Sequence, residues 1–205
     1  MALQAEIIAV TPFRQNCTLL WDDETREAVL TDVGGDVPYL LQELDAKNLT
    51  LTAIWLTHGH LDHAGGVVEL REHRPVPVIG PHADDDFLLQ ALPETTAQYG
   101  FPVSPAFEPT RWLTEGETLK VGSHAFQVLH IPGHTPGHVV FYCAEAGLLI
   151  AGDVLFYETI GRTDFPRGNH ADLIHNIRNK LFVLPEDTRV IAGHGRMTDI
   201  GHEKR

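Results

Sequence analysis

Two β-sheets packed on each other with helices outside form the α/β architecture that this sequence predicts, and three observations predict it. Apolar runs of strand length come in two successive batches, and each batch is followed by a helical pattern. Several of these runs end on glycine followed by histidine or aspartate, as expected where chains turn at one edge of a sheet. Hydrophobic residues make up 43% and charged residues 21%, a globular balance that leaves enough apolar surface for a core. At 205 residues the chain is expected to form one domain, 1–205.

Residues 4–10 and 16–21 read as strands, and the acidic turn Asp22-Asp23-Glu24-Thr25 joins the second to another at 27–31. Gly34-Gly35-Asp36 breaks the pattern. Leu40, Leu41 and Leu44 then stand at helical spacing within a helix predicted over 37–47. Ala53-Ile54-Trp55-Leu56 belongs to a strand running to His58, and a helix is predicted over 64–73. Residues 75–80 hold two prolines, which suit only an edge strand. A helix is expected over 81–89, where Asp84-Asp85-Asp86 reads as a solvated face complementing the helix dipole, with calcium binding as the alternative. The prolines between 91 and 109 predict irregular chain lying over one side of a pocket.

Strands return at 119–121, 125–130, 139–143 and 148–152. Asn169 is placed to cap a helix over 170–182 whose inner stripe is Leu173, Ile177 and Leu181. Arg189-Val190-Ile191-Ala192 is the last buried strand. No solenoid-length repeat is present.

The chemistry is concentrated in Thr57-His58-Gly59-His60-Leu61-Asp62-His63-Ala64-Gly65-Gly66, which places His58, His60, Asp62 and His63 on a strand-to-helix turn. Alternate residues of extended chain share a face, so His58 and His60 aim at one ion while Leu61 turns inward. Asp62 and His63 open the helix and aim elsewhere. A set divided in this way suits two neighbouring ions better than one tetrahedral ion. The competing reading is a polar turn whose histidines cap the helix.

Three later segments, Pro132-Gly133-His134, Ala151-Gly152-Asp153 and Ala192-Gly193-His194, share the strand-glycine-ligand arrangement and can converge on the first cluster. Taken singly, each reads as a structural residue at a strand end. Of the remaining histidines, His138 in Gly133-His134-Thr135-Pro136-Gly137-His138 is placed to orient a metal-ligating residue, and the others read as surface or core side chains.

Composition excludes several partners. Net charge is 15 minus 28, or −13, which disfavours nucleic acid because phosphate backbones are held by clustered Lys and Arg. No apolar run approaches the roughly 18 residues that cross a bilayer, and Met1 to Glu6 lacks the basic start of a signal peptide. Cys17 and Cys143 are far apart and read as buried reduced thiols, so a cytoplasmic location is expected.

The ordered set T-H-G-H-L-D-H, P-G-H-T-P-G-H, A-G-D and G-H-G resembles the metallo-β-lactamase fold superfamily over nearly the whole chain. Gly152 to Phe156 with Ile160 to Phe165 is similar to the glyoxalase II branch, most closely its short single-domain hydrolases. The resemblance implies an αββα sandwich of two mixed sheets with a binuclear site at one edge. It implies one ion on His58, His60 and His134, a second on Asp62, His63 and His194, and Asp153 bridging them, with zinc expected and iron or manganese compatible. Arg162 falls where that branch places a basic residue near the glutathione moiety, while the chain's end at Arg205 leaves out the helical C-terminal domain of the long enzymes.

The expected activity is hydrolysis of a thioester such as S-D-lactoylglutathione by a hydroxide bridging the metals, with Asp62 positioning it and Arg162 contacting an anionic acyl-thiol. No G-x-S-x-G nucleophile elbow is present to suggest a serine route. A persulfide dioxygenase with one iron, a lactonase or β-lactamase, and a non-catalytic metal-binding module are the competing readings. Oligomeric state is not legible.

Overall fold

The computed structural model describes residues 2–205. Strands β1 (Leu3–Val10), β2 (Gln15–Asp22) and β3 (Glu27–Thr31) pair antiparallel in turn. Asp22 stabilises the predicted acidic turn by accepting from the amides of Glu24 and Thr25. Helix α1 (Val37–Ala46) carries the chain across to β4 (Thr50–Trp55), which pairs parallel with β3, a connection that needs such a crossover. Helices α2 (Leu61–Ala64) and α3 (Val67–His73) lead to β5 (Val78–Ile79), parallel to β4 at the sheet edge.

A single 3-10 turn over Ala83–Asp85 precedes α4 (Asp86–Gln90) and α5 (Leu92–Gln98). The second half contains β6 (Thr118–Val121), β7 (His124–His130), β8 (Val139–Cys143) and β9 (Leu148–Gly152), successive antiparallel neighbours. After a hairpin of β10 (Leu155–Phe156) and β11 (Thr159–Ile160) comes α6 (His170–Asn176), which continues as a π turn over Ile177–Leu181. Strand β12 (Arg189–Ala192) pairs parallel with β9, and β13 (Thr198–Asp199) and α7 (Ile200–Lys204) finish the chain.

The sheet orders are β1-β2-β3-β4-β5 and β13-β12-β9-β8-β7-β6, both mixed. Leu20, Val29, Ala53 and Trp55 from the first meet Phe126, Val128, Phe141, Ile150 and Ile191 from the second in the central layer. The alternate residues point outward: Leu19, Leu30 and Ile54 pack under α1 and α3, while Val140, Leu149 and Val190 pack under α6. Strands buried on both faces therefore read as continuous apolar runs. This is the αββα sandwich expected above.

Several boundaries differ from expectation. Strand β4 stops at Trp55 because the Thr57 amide donates to the Asp32 carboxylate instead of to a neighbouring strand. The helix expected over 64–73 starts at Leu61 and breaks at Gly65-Gly66, where the backbone lies against Gly34-Gly35. Residues 92–98 are helical, with Pro93 in the first turn, where no amide donor is required. Asp85 is fully buried and not part of a solvated face. Leu173, Ile177 and Leu181 form the buried stripe expected of α6 and its π turn, and Asn169 accepts from the Asp172 amide as its cap.

Candidate metal centre

The seven side chains singled out in the sequence come together. His58 and His60 lie on the loop after β4, Asp62 and His63 on α2, and His134, Asp153 and His194 on the turns after β7, β9 and β12. Those turns are held together by main-chain bonds: the Gly193 amide donates to Gly152 O, the Asn16 amide to Gly193 O, and the Val139 amide to Thr57 O. A Cβ on Gly193 would lie 2.1 Å from Asp153 Oδ1, so only glycine lets the last turn come this close.

The nitrogen and oxygen atoms that could hold a cation fall into two groups that share Asp153: His58, His60, His134 and Asp153, and Asp62, His63, His194 and Asp153. Asp153 Oδ2 lies 3.2 Å from His63 Nε2, 3.6 Å from His134 Nε2, and 3.7 Å from both His58 Nε2 and His194 Nε2. His194 Nε2 also lies 3.0 Å from Asp62 Oδ2. Two ring nitrogens, His60 Nδ1 and His134 Nε2, face each other at 3.2 Å.

The opposite ring edges are anchored. His63 Nδ1 donates to Asp32 (2.8 Å), His134 Nδ1 to the Arg162 carbonyl (2.7 Å) and His194 Nδ1 to the Phe13 carbonyl (3.1 Å). His58 Nδ1 meets Thr57 Oγ1 at 2.9 Å, and that hydroxyl donates to Asp32. With acceptors at Nδ1, it is Nε2 that faces the shared carboxylate, and loss of any proton there would free a lone pair for a cation. Among the described residues, His58 Nε2 and Asp153 Oδ1 are buried without a hydrogen-bond partner. A donor set of imidazoles and carboxylates with orphaned atoms at its centre fits divalent metal ions.

Electrostatics favour the same exchange. Burial holds His58 well below the ordinary histidine value, helped by His63 and His138, and lowers His60 to about 3. Burial works against His63 too, but Asp153, Asp62 and Asp32 outweigh it and raise it well above that value. His194 rises to about 9 because bonds to Asp153 and Asp62 outweigh its burial. Asp62 and Asp153 stay ionised although burial opposes it, chiefly through His63. A cation in this cluster takes the place of protons.

His138 is fully buried, its ring stacked 4.5 Å from that of His58, and its Nε2 accepts from the Asp153 amide at 3.1 Å. Arg162 contributes its carbonyl to His134. Its exposed guanidinium pairs with both oxygens of Asp164 (2.7 and 2.9 Å) and lies 4.2 Å over the Phe165 ring. Phe165 in turn packs edge-on to His60 at 4.9 Å. Arg167 stacks over Phe87.

Sequence reasoning missed Asp32, Asp85 and Phe165. Asp32 carried a usable signal, since Val29-Leu30-Thr31-Asp32 is another apolar run ending on a carboxylate near glycine. His82, Asp84 and His130 also cluster, at the surface, but the two rings are parallel within 5° at 4.2 Å. Imidazole lone pairs lie in the ring plane, so one ion cannot lie in both planes as they stand.

A double-sheet sandwich with a histidine and aspartate centre at the strand ends defines a metallo-hydrolase class, and the chain belongs to the metallo-beta-lactamase superfamily, whose family model matches residues 10–194. Hydroxyacylglutathione hydrolase GloC of Haemophilus influenzae is 48% identical over 99% of this chain and 96% of its own. Crystal structures of BLEG-1 B3 metallo-beta-lactamase (39% identity, TM-score 0.90) and of TTHA1623 in a di-iron-bound form (36%, TM-score 0.88) each align over 98% of this chain. They are covered over 96% and 97% of their own lengths.

Proposed function

We propose that the protein is a thioester hydrolase of the glyoxalase II type, acting on S-D-lactoylglutathione or a related anionic acyl-thiol with residues 1–205 as one cytoplasmic catalytic domain. The observation that carries the reading is the pair of four-residue groups sharing Asp153, joined to the full-length likeness to a hydroxyacylglutathione hydrolase. In this reading His58, His60 and His134 hold one ion, Asp62, His63 and His194 the other, and Asp153 both. Zinc is the ion expected from the ligands, and iron is supported by the di-iron form of TTHA1623. Bound cations supply Lewis acidity and lower the pKa of water toward about 7.

The chain's own part is positioning. Asp62, held ionised chiefly by His63 with His194, orients the attacking water through its carboxylate. Phe165 covers His60 and His134 on the side where Arg162 stands. Arg162 meets the anionic part of the substrate by exchanging its exposed bond to Asp164, a pair that solvent already weakens. The thiolate leaves as the better leaving group and the water oxygen stays with the acyl carbon.

Elemental analysis alongside an S-D-lactoylglutathione assay tests the reading. Two ions per chain and release of the thiol are expected. One iron per chain with oxygen uptake would replace it by the dioxygenase. A second reading, β-lactam hydrolysis, is favoured by the likeness to BLEG-1, and turnover of a β-lactam with an inert thioester would establish it.

A further inference from the structure

Asp85 is a fully buried carboxylate with no part in the chemistry above, yet it lies between the two loops that carry His58, His60 and His134. Its Oδ2 accepts from the Gly59 amide (3.0 Å) and from Thr135 Oγ1 (2.8 Å), and its Oδ1 accepts from the Gly137 amide (2.6 Å). Gly59 is the residue between His58 and His60, and Thr135 follows His134. One side chain therefore spans both loops. The His82 amide donates back to Gly137 O (3.0 Å), so the 3-10 turn and the second loop are fastened in both directions. A Cβ on Gly137 would come within 2.6 to 2.7 Å of Asp85, so the approach is as close as backbone allows.

Neither Lys nor Arg pairs with Asp85 among the described residues, and burial pushes its carboxyl up to about 6 against its three donors. A buried charge without a cation is a burden on folding, which leaves the geometry it imposes as its contribution. The other half of the cluster does not use it. His63 is oriented by Asp32, which also accepts from the Thr57 amide and hydroxyl, and His194 by the Phe13 carbonyl.

We propose that Asp85 is a positioning residue for one half of the metal centre, setting the distance between the 57–60 and 133–138 loops so that His58, His60 and His134 converge on a single ion. This rests on the ligand assignment proposed above. Asp85 is not among the residues that would hold an ion, and it acts through the Gly59 and Gly137 amides and the Thr135 hydroxyl. Its loss therefore affects the two metal sites unequally.

The test is zinc competition with a chromophoric chelator, using the full-length protein and zinc alone as the probe. Wild-type protein is expected to give two affinities. Asp85→Asn keeps the volume but turns a donor toward a donor, and is expected to weaken one affinity by about 10–100-fold while leaving the other within about threefold. Thr135→Val removes one of the three bonds and is expected to shift the same affinity less, and it decides the matter if Asp85→Asn does not fold. Melting of the chelated proteins reads stability separately. Equal weakening of both sites, or unchanged affinities in a folded variant, overturns the proposal. A wild-type protein that binds no zinc pair overturns the ligand assignment, and this inference with it.

Discussion

Oδ2 of Asp153 stands within 3.2 to 3.7 Å of a ring nitrogen from each of His58, His63, His134 and His194, and every one of those rings is tethered at its other nitrogen. Such a residue is set before any substrate arrives, which is the condition for electrostatic help in a reaction. Asp62 is the member proposed to orient the water. Asp62→Ala is expected to cut kcat by roughly 10²- to 10⁴-fold, with steady-state kinetics as the measure, and unchanged turnover would remove it from the reaction. The seven clustered residues were legible because His58, His60, Asp62 and His63 crowd one turn after an apolar strand, and His134, Asp153 and His194 each follow a glycine at the end of another. Asp85 was not, because in Asp84-Asp85-Asp86 nothing local marks which of three carboxylates the fold will bury.

At the scale of elements, the loop after β3 and the turn between α2 and α3 approach backbone to backbone. A Cβ on Gly34 would lie 1.7 Å from the Asp62 carbonyl oxygen, a contact no side-chain rotation can relieve. Gly34→Ala is therefore expected to destabilise the protein by about 1–3 kcal/mol and, by shifting the backbone of α2, to lower metal content as well. Urea unfolding and elemental analysis would read the two effects, and a variant of wild-type stability would show that the loop can move. The sequence marked Gly34-Gly35 only as a strand break. The partner surface, Gly65-Gly66, lies some thirty residues on (65 minus 34 is 31), and local pattern carries no information about that contact. Helix α5 escaped for a different reason: Pro93 occupies its first turn, where proline is tolerated, while Pro102, Pro105 and Pro109 follow the helix and make the whole stretch read as irregular.

For the whole molecule, the cluster ties stability to pH. His194 is raised to about 9, and His63 well above its ordinary value, by the carboxylates around them. A raised histidine stabilises the folded chain fully below its unfolded value of 6.5, and that contribution is lost as pH rises through about 9. The melting temperature of the chelated protein is thus expected to fall between those pH values. With zinc bound the protons are displaced, and the dependence should flatten. Thermal melts across pH with and without chelator would check this, and parallel curves would refute it. No helix among the described residues is long and apolar enough to cross a membrane.

The sequence by itself determined the layered architecture and which histidines and aspartates would cluster, because apolar periodicity and polar side chains at glycine-marked strand ends are local signals. Only the tertiary structure decided how the clustered side chains and their loops are held: Asp32, Asp85, and the Arg162 and Phe13 carbonyls. Each of these depends on segments distant in the chain meeting at a particular distance. That meeting is set by packing two sheets against each other, which no stretch of sequence states alone.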